Sequence, residues 1–373
     1  MKYLFFSPMA WNHYRNRHVE IPMGLAEAGN ECIFVNPVKY KNWENGSMRL
    51  HNISSHPSNS VKVIDHFTKM PLSPLLIIYE NYENVRMVKR YKPDAVVSWD
   101  PYMSLFICIY CKWKHIPFIF DAMDDWGEMG KNYFIRFYFK CFVNPVLKRL
   151  SYAVTSTSHR QAEVYGKYNK RVYLIPNGKP MDFIKKAGEY ASLNSISYKS
   201  NVVNFIATLR DWYDFDLLFE VFREFPELQL NLYGKGELYD YLKEKSSGYP
   251  NIAIKGHADS EILPKLTDES LFGILPLKFT KLNESTCPIK LFDYWSAKKA
   301  VIASPTYEMK KMAQNGGIIL ARTKEDYIHA IKSLLSDVVL RESIGNKGYE
   351  NMITKYNYNI IIKQFTDSLA LGN

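Results

Sequence analysis

The chain lacks any apolar run of the roughly 18 to 20 residues needed to cross a bilayer. Its apolar opening, Met1–Phe6, is stopped by Ser7 and Pro8 before a signal-peptide core could form, so the expected location is cytoplasmic. Cysteine is scarce: Cys32, Cys108, Cys111, Cys141 and Cys287 are an odd, scattered set that suits a reducing compartment rather than a disulfide framework. Cys108 and Cys111 form a C-x-x-C inside the apolar stretch Leu105–Cys111. With no second Cys or His pair at zinc spacing, they are expected as buried helix residues. No G-x-G-x-x-G follows the first apolar run, where the chain instead reads Ser7–His18, and no G-x-x-x-x-G-K-[ST] occurs anywhere. These absences argue against a dinucleotide-binding domain and a P-loop kinase. Low-complexity tracts and repeats of solenoid length are also missing.

What is present is enough apolar material for more than one core: 47% of 373 residues are hydrophobic. Lys2–Phe6 reads as a buried strand, Arg17–Ala28 as a helix stopped by Gly29, and Glu31–Val35 as the next strand. After a polar stretch, apolar runs at Asp94–Ser98, Pro117–Phe120, Ala153–Thr155 and Val172–Ile175 alternate with helical segments, the pattern of a parallel, doubly wound sheet. Ala187–Asn201 reads as a linker. A second alternation follows, with strands expected at Val202–Ala207, Leu228–Tyr233, Ile252–Lys255, Leu271–Leu275, Ala300–Ala303 and Gly317–Leu320. Helical stretches such as Asp216–Phe225 and Glu325–Leu335 lie between them, and Glu342–Ala370 is helical and aromatic enough to pack back across the junction. The expected class is α/β, with two Rossmann-like, doubly wound parallel-sheet domains (1–180 and 181–352) around a cleft, and a closing helix, 353–373, returning to the first domain.

The formal charge of +10 is uneven. Residues 1–180 hold 24 Lys and Arg against 14 Asp and Glu, whereas the remainder holds 24 of each. Nucleic acid, an anionic membrane surface or an anionic substrate each fit such a bias.

In open α/β sheets, ligands sit beyond the carboxyl ends of the strands. The most informative loop there is Asn283–Trp295. Ser285 or Thr286 is expected to cap a helix with Pro288 in its first turn, leaving backbone N–H groups to face a phosphate. Lys290 adds a cation. Asp293, three residues on and so on the same face, can accept from two ribose hydroxyls. An ordinary capped helix with a surface Lys/Asp pair has the same spacing.

The stretch Pro288–Ala303 resembles the donor-binding helix and following strand of GT-B fold glycosyltransferases, in particular the family 4-like bacterial enzymes of capsule and exopolysaccharide synthesis. Ile175–Gly178 resembles that family's passage into the second domain, Phe205–Leu218 its first strand and phosphate loop there, and Tyr233–Glu237 its next glycine turn. The resemblance implies a ribose-binding acid at Asp293, a diphosphate contact at Arg210 and a nucleotide-binding glycine turn at Gly234, with Ser285, Thr286 and Lys290 on the same donor side. The family's first acid, eight residues before Asp293, falls on Ser285, with Glu284 one place out of register.

Glycosyl transfer needs stabilisation of the leaving diphosphate and, in one stereochemical variant, a base for the acceptor hydroxyl. Pro117–Trp126 places Asp121, Asp124 and Asp125 just beyond a strand, where neighbouring acids raise one another's pKa. Asp124 and Asp121 are the expected base or donor contact, with Asp100 weaker; any of the three could equally cap a following helix. Arg17 and His18 open the first helix and are expected on the acceptor or phosphate side. Asp214 and Asp216 have metal-motif spacing but sit at a helix start, so no essential metal and no cofactor is expected. Lys131–Phe142, followed by Lys148 and Arg149, combines cations with aromatics as a headgroup-level segment does, and Lys39–Trp43 is similar.

The expected activity is transfer of a hexosyl or uronosyl group from a nucleoside-diphosphate sugar, UDP ahead of GDP, to a saccharide or lipid-linked saccharide. The protein would work on the inner face of the cell membrane against anionic lipid, and without nucleic acid, for which no recognition module is present. The rival readings are a GT-B sugar-nucleotide epimerase and a non-catalytic membrane- or polysaccharide-binding protein.

Overall fold

A computed structural model describes residues 1–12, 15–37, 39–40, 60–65, 67–68, 74–125, 127–128, 133–193 and 201–369. The expected readings on 41–43, 131–132 and 194–200 of the linker lie outside them, and the linker's first part is instead helical, within Met181–Leu193. The chain forms two compact units: Met1–Pro176 with Ile361–Asn373, and Asn177–Ile360.

Strands of the first unit, in chain order, are β1 (Lys2–Phe6), β2 (Glu31–Val35), β3 (Lys39–Tyr40), β4 (Val61–Ile64), β5 (Phe67–Thr68), β6 (Ala95–Ser98), β7 (Phe118–Ala122), β8 (Ala153–Ser156) and β9 (Val172–Leu174). Among the described residues they make a seven-stranded parallel sheet, β4-β2-β1-β6-β7-β8-β9, and a small β3-β5 pair. Leu4 stands opposite Ile33 on one side and Val96 on the other. Every residue of β6, β7 and β8 is buried, as it must be where helices cover both faces of a parallel sheet. Phe120, Phe139, Leu147 and the two helix cysteines, Cys108 and Cys111, fill one side of this core.

The second unit contains β10 (Val202–Ile206), β11 (Gln229–Tyr233), β12 (Ile252–Gly256), β13 (Gly273–Leu275), β14 (Val301–Ala303) and β15 (Ile318–Leu320). These run as β10-β11-β12 and β13-β14-β15, all parallel. The Leu271 amide donates to Val202 O at 2.8 Å, joining the two ribbons edge to edge at β10 and β13. The result is the doubly wound Rossmann order, in which the chain reverses direction across the sheet between β10 and β13. Both units therefore have the expected class.

The closing helix is not continuous. It breaks between Val338–Thr354 and Tyr358–Leu369 because Lys179 intervenes: its amide donates to Tyr356 O at 3.0 Å, and its carbonyl accepts from Tyr358 N at 3.1 Å. Asn357 then caps the second piece through Ile360 N. In the basic aromatic stretch, helix Tyr133–Tyr138 runs into a π-helical turn, Phe139–Val143, before Asn144–Leu150.

Candidate functional site

In the second unit the loops at the reversal point are tied together by one side chain. Buried Asn283 donates to Trp212 O and to Lys278 O, both at 2.8 Å, so the loop after β10 and the loop after β13 share an anchor. The turn after β11 supports the first of these loops from below. Gly234 has φ +140°, and a Cβ there would sit 1.8 Å from Ala207 O, so only glycine lets the two backbones meet. Gly234 is thus a packing residue that shapes the loop after β10. Ala207 N and Leu209 N donate to Tyr233 O and Lys235 O across this contact. Arg210 is exposed with its guanidinium 5.1 Å from the Trp212 ring centre, and Asp211 pairs with Lys278 instead. Arg210 therefore stands as an available cation held by stacking.

Helix Ile289–Ser296 follows. Its N-cap is Pro288, which has no capping side chain, so the expected cap by Ser285 or Thr286 does not form. Those residues lie too far ahead of the first turn: Ser285 is buried at the end of Lys281–Glu284, and the Thr286 hydroxyl donates back to Leu282 O at 2.8 Å. The N-cap thus offers the first-turn N–H groups no side-chain acceptor. Glu284 is also engaged elsewhere, accepting from Tyr307 N at 2.7 Å at the start of the next helix.

Asp293 is 3% exposed and ionised among cations. Lys290 Nζ lies 3.2 Å from its Oδ2, as the three-residue spacing requires, and Lys179 Nζ lies 2.5 Å from Oδ1. Burial alone would raise the Asp293 carboxyl; the two ammonium groups outweigh it and hold the carboxyl below its usual range. Burial conversely lowers Lys179, with Asp293 opposing. Lys179 went unnoticed in the sequence because its role needs the Asn177–Lys179 segment to lie against this helix, which Asn177 secures by donating to Cys287 O at 3.3 Å.

In the first unit the corresponding reversal lies between β1 and β6. Here the structure departs from the sequence expectation. Arg17 and His18 are fully buried rather than facing a phosphate or acceptor. Arg17 Nε donates to Asp121 Oδ2 at 2.7 Å and its Nη1 to Pro176 O at 2.9 Å, while His18 Nε2 sits 3.3 Å from Ala10 O. Trp99 Nε1 donates to the same Asp121 oxygen at 2.7 Å. Asp121, 0% exposed, takes both donors on Oδ2, a buried framework placement rather than the open one expected of a base. Asp100 neither stands free nor caps the next helix, whose N-cap is Ser104: its Oδ1 accepts from Tyr102 N at 2.9 Å and Met103 N at 3.0 Å, shaping the turn before helix Leu105–Trp113.

Asp124 is different. It is partly exposed, and among the described residues no hydrogen bond or ion pair engages it. Burial, then the neighbouring Asp125 charge, pushes its carboxyl up to about 6. Such a group is ionised near neutrality yet still basic. Asp214 and Asp216, whose spacing suggested a metal motif, are otherwise occupied: Asp214 caps Phe215–Arg223 through Leu217 N, and Asp216 pairs with Lys245. Among the described residues no group of three or more His, Cys, Asp or Glu is arranged to hold a metal ion.

No curated protein sequence matches the chain. Among solved structures it is similar to HepE of Anabaena in complex with UDP and glucose, at 13% identity over 99% of both chains with a TM-score of 0.69. It is similar to sucrose-phosphate synthase of Thermosynechococcus elongatus, at 14% identity over 98% of both chains and a TM-score of 0.73. A Rickettsia africae glycosyltransferase matches at 15% identity, over 99% of this chain and 98% of that one, with a TM-score of 0.67. At these identities the likeness is one of fold. With its two parallel Rossmann-like units the chain thus has the GT-B fold of glycosyltransferases, and its residues 210–367 match the family model described as glycosyl transferase-like.

Proposed function

We propose that the protein is a glycosyltransferase that moves a hexosyl or uronosyl group from a nucleoside-diphosphate sugar, UDP ahead of GDP, to a lipid-linked saccharide in cell-surface polysaccharide synthesis. The observation that carries this reading is the buried Asp293 carboxylate with Lys290 beside it, at the first turns of a helix whose leading N–H groups have no side-chain cap. A carboxylate accepts from ribose hydroxyls, while an ammonium group and free helix amides receive a diphosphate. Arg210 supplies a further cation to the leaving group. UDP is preferred because HepE of the same fold holds UDP.

Asp124 is the proposed base, receiving the acceptor hydroxyl's proton. No metal is required in this scheme, since Lys290, Arg210 and the helix amides meet the diphosphate charge. The first unit carries the proposed membrane contact. Tyr133 is 74% exposed and Phe134 79%, and on another helix Trp113 is 67% exposed with Lys114 lying over its ring. Aromatic side chains left in water next to cations suit an anionic headgroup layer and an acceptor anchored there. Arg136 and Lys140 contribute less, both being paired with Glu128. In this reading the protein is peripheral on the cytoplasmic face of the membrane.

The test is incubation with UDP-sugars and membrane extracts. The expected result is sugar incorporation into the lipid fraction with UDP release, and flotation with anionic but not neutral liposomes. Conversion of the UDP-sugar to an epimer without acceptor would point to an epimerase, and binding without turnover to a non-catalytic protein.

A further inference from the structure

Two lysines share Asp293, and they are not equivalent. Lys290 rides on the same helix, its side chain 27% exposed, and can swing away. Lys179 comes from a different segment; its side chain is 15% exposed, and its backbone is fixed on both sides by Tyr356 O and Tyr358 N. They also take different oxygens: Lys179 the Oδ1, Lys290 the Oδ2. Among the described residues the buried phenols of Tyr213 and Tyr294 also feel the Asp293 charge, and they contribute no positive charge.

We infer that Lys179 is a positioning residue for the donor's ribose: it holds the Asp293 carboxylate ionised and aimed, so that Lys290 is free to leave for the diphosphate and vacates Oδ2 for a ribose hydroxyl. This rests on the donor reading above. Without the second ammonium, moving Lys290 would strand a carboxylate at 3% exposure with no counter-charge, and burial would drive it to take up a proton. A protonated Asp293 offers one oxygen that donates instead of accepting, and ribose recognition is lost. Lys179 thus supplies a standing counter-charge, and Lys290 an exchangeable one.

The experiment is calorimetric titration of wild type, Lys179→Met and Lys179→Arg with UDP and with 2′,3′-dideoxy-UDP between pH 5 and 8. Wild type is expected to prefer UDP over the dideoxy analogue. Lys179→Met is expected to bind UDP about 10- to 100-fold more weakly, the range of a hydrogen bond to a charged group. Its deficit should widen toward pH 5, and its preference for the ribose hydroxyls should collapse, while Lys179→Arg restores both. A merely structural lysine would lower affinity for the two ligands equally at every pH; that result, or unchanged binding, overturns the inference alone. Failure of wild type to bind UDP, GDP or ADP overturns the donor reading and the inference with it. Should Lys179→Met not fold, Lys179→Gln carries the same comparison.

Discussion

The Arg17 guanidinium donates to the Asp121 carboxylate at 2.7 Å with both side chains fully buried, joining the start of the first helix to the end of β7. The pair is a framework element. Removing one partner leaves the other charged and enclosed, so Arg17→Met or Asp121→Asn is expected to cost about 3–5 kcal/mol in denaturant-induced unfolding. A loss below about 1 kcal/mol would mean that the pair contributes little to the fold.

The alternation of apolar runs made both parallel sheets legible, because a strand buried on two faces must be apolar throughout, as Phe118–Ala122 nearly is. Lys290 and Asp293 were legible as well, since three-residue spacing on a helix fixes a shared face. What escaped was long-range. Arg17 finds Asp121 104 residues away, and Lys179 meets Asp293 from the other end of its unit. No local pattern distinguishes a buried arginine from one at a solvated helix start. The capping role given to Ser285 and Thr286 failed for a local reason, because Pro288 itself became the N-cap.

Lys290→Ala is expected to weaken nucleoside diphosphate binding by roughly 1.5–3 kcal/mol, the size of a charge-assisted hydrogen bond. The fold should persist, since Lys179 still balances Asp293. Calorimetry with thermal unfolding as control checks both, and unchanged affinity in the folded variant would remove Lys290 from the donor site.

Asp124→Asn is expected to leave donor affinity near that of wild type and to abolish most turnover. Wild-type turnover should climb through about pH 6 as the carboxyl ionises. The same group has a stability signature. Its folded-state pKa lies above the ordinary 3.8, so the folded chain binds the proton more tightly and loses stability as pH rises from about 4 to 6. Asp124→Asn should therefore be more stable than wild type at pH 7.5, by about 1–3 kcal/mol, and nearly equal to it at pH 4. Full activity in the variant would place the base elsewhere.

Gly234→Ala is expected to destabilise the second unit by about 2–6 kcal/mol, combining backbone strain with overpacking against Ala207 O. Nucleotide affinity should fall with it, because the loop after β10, the proposed phosphate contact, rests on that approach. Thermal unfolding of the variant reads the effect; a shift of less than about 1 °C would contradict the close approach.

The central claim is that the second unit holds a nucleoside diphosphate through Asp293 and Lys290. Calorimetric titration of the purified chain with UDP, GDP and ADP, with and without magnesium, tests it most directly. Saturable binding of UDP without metal, lost in Lys290→Ala, is the predicted result; no binding of any of the three would contradict the account.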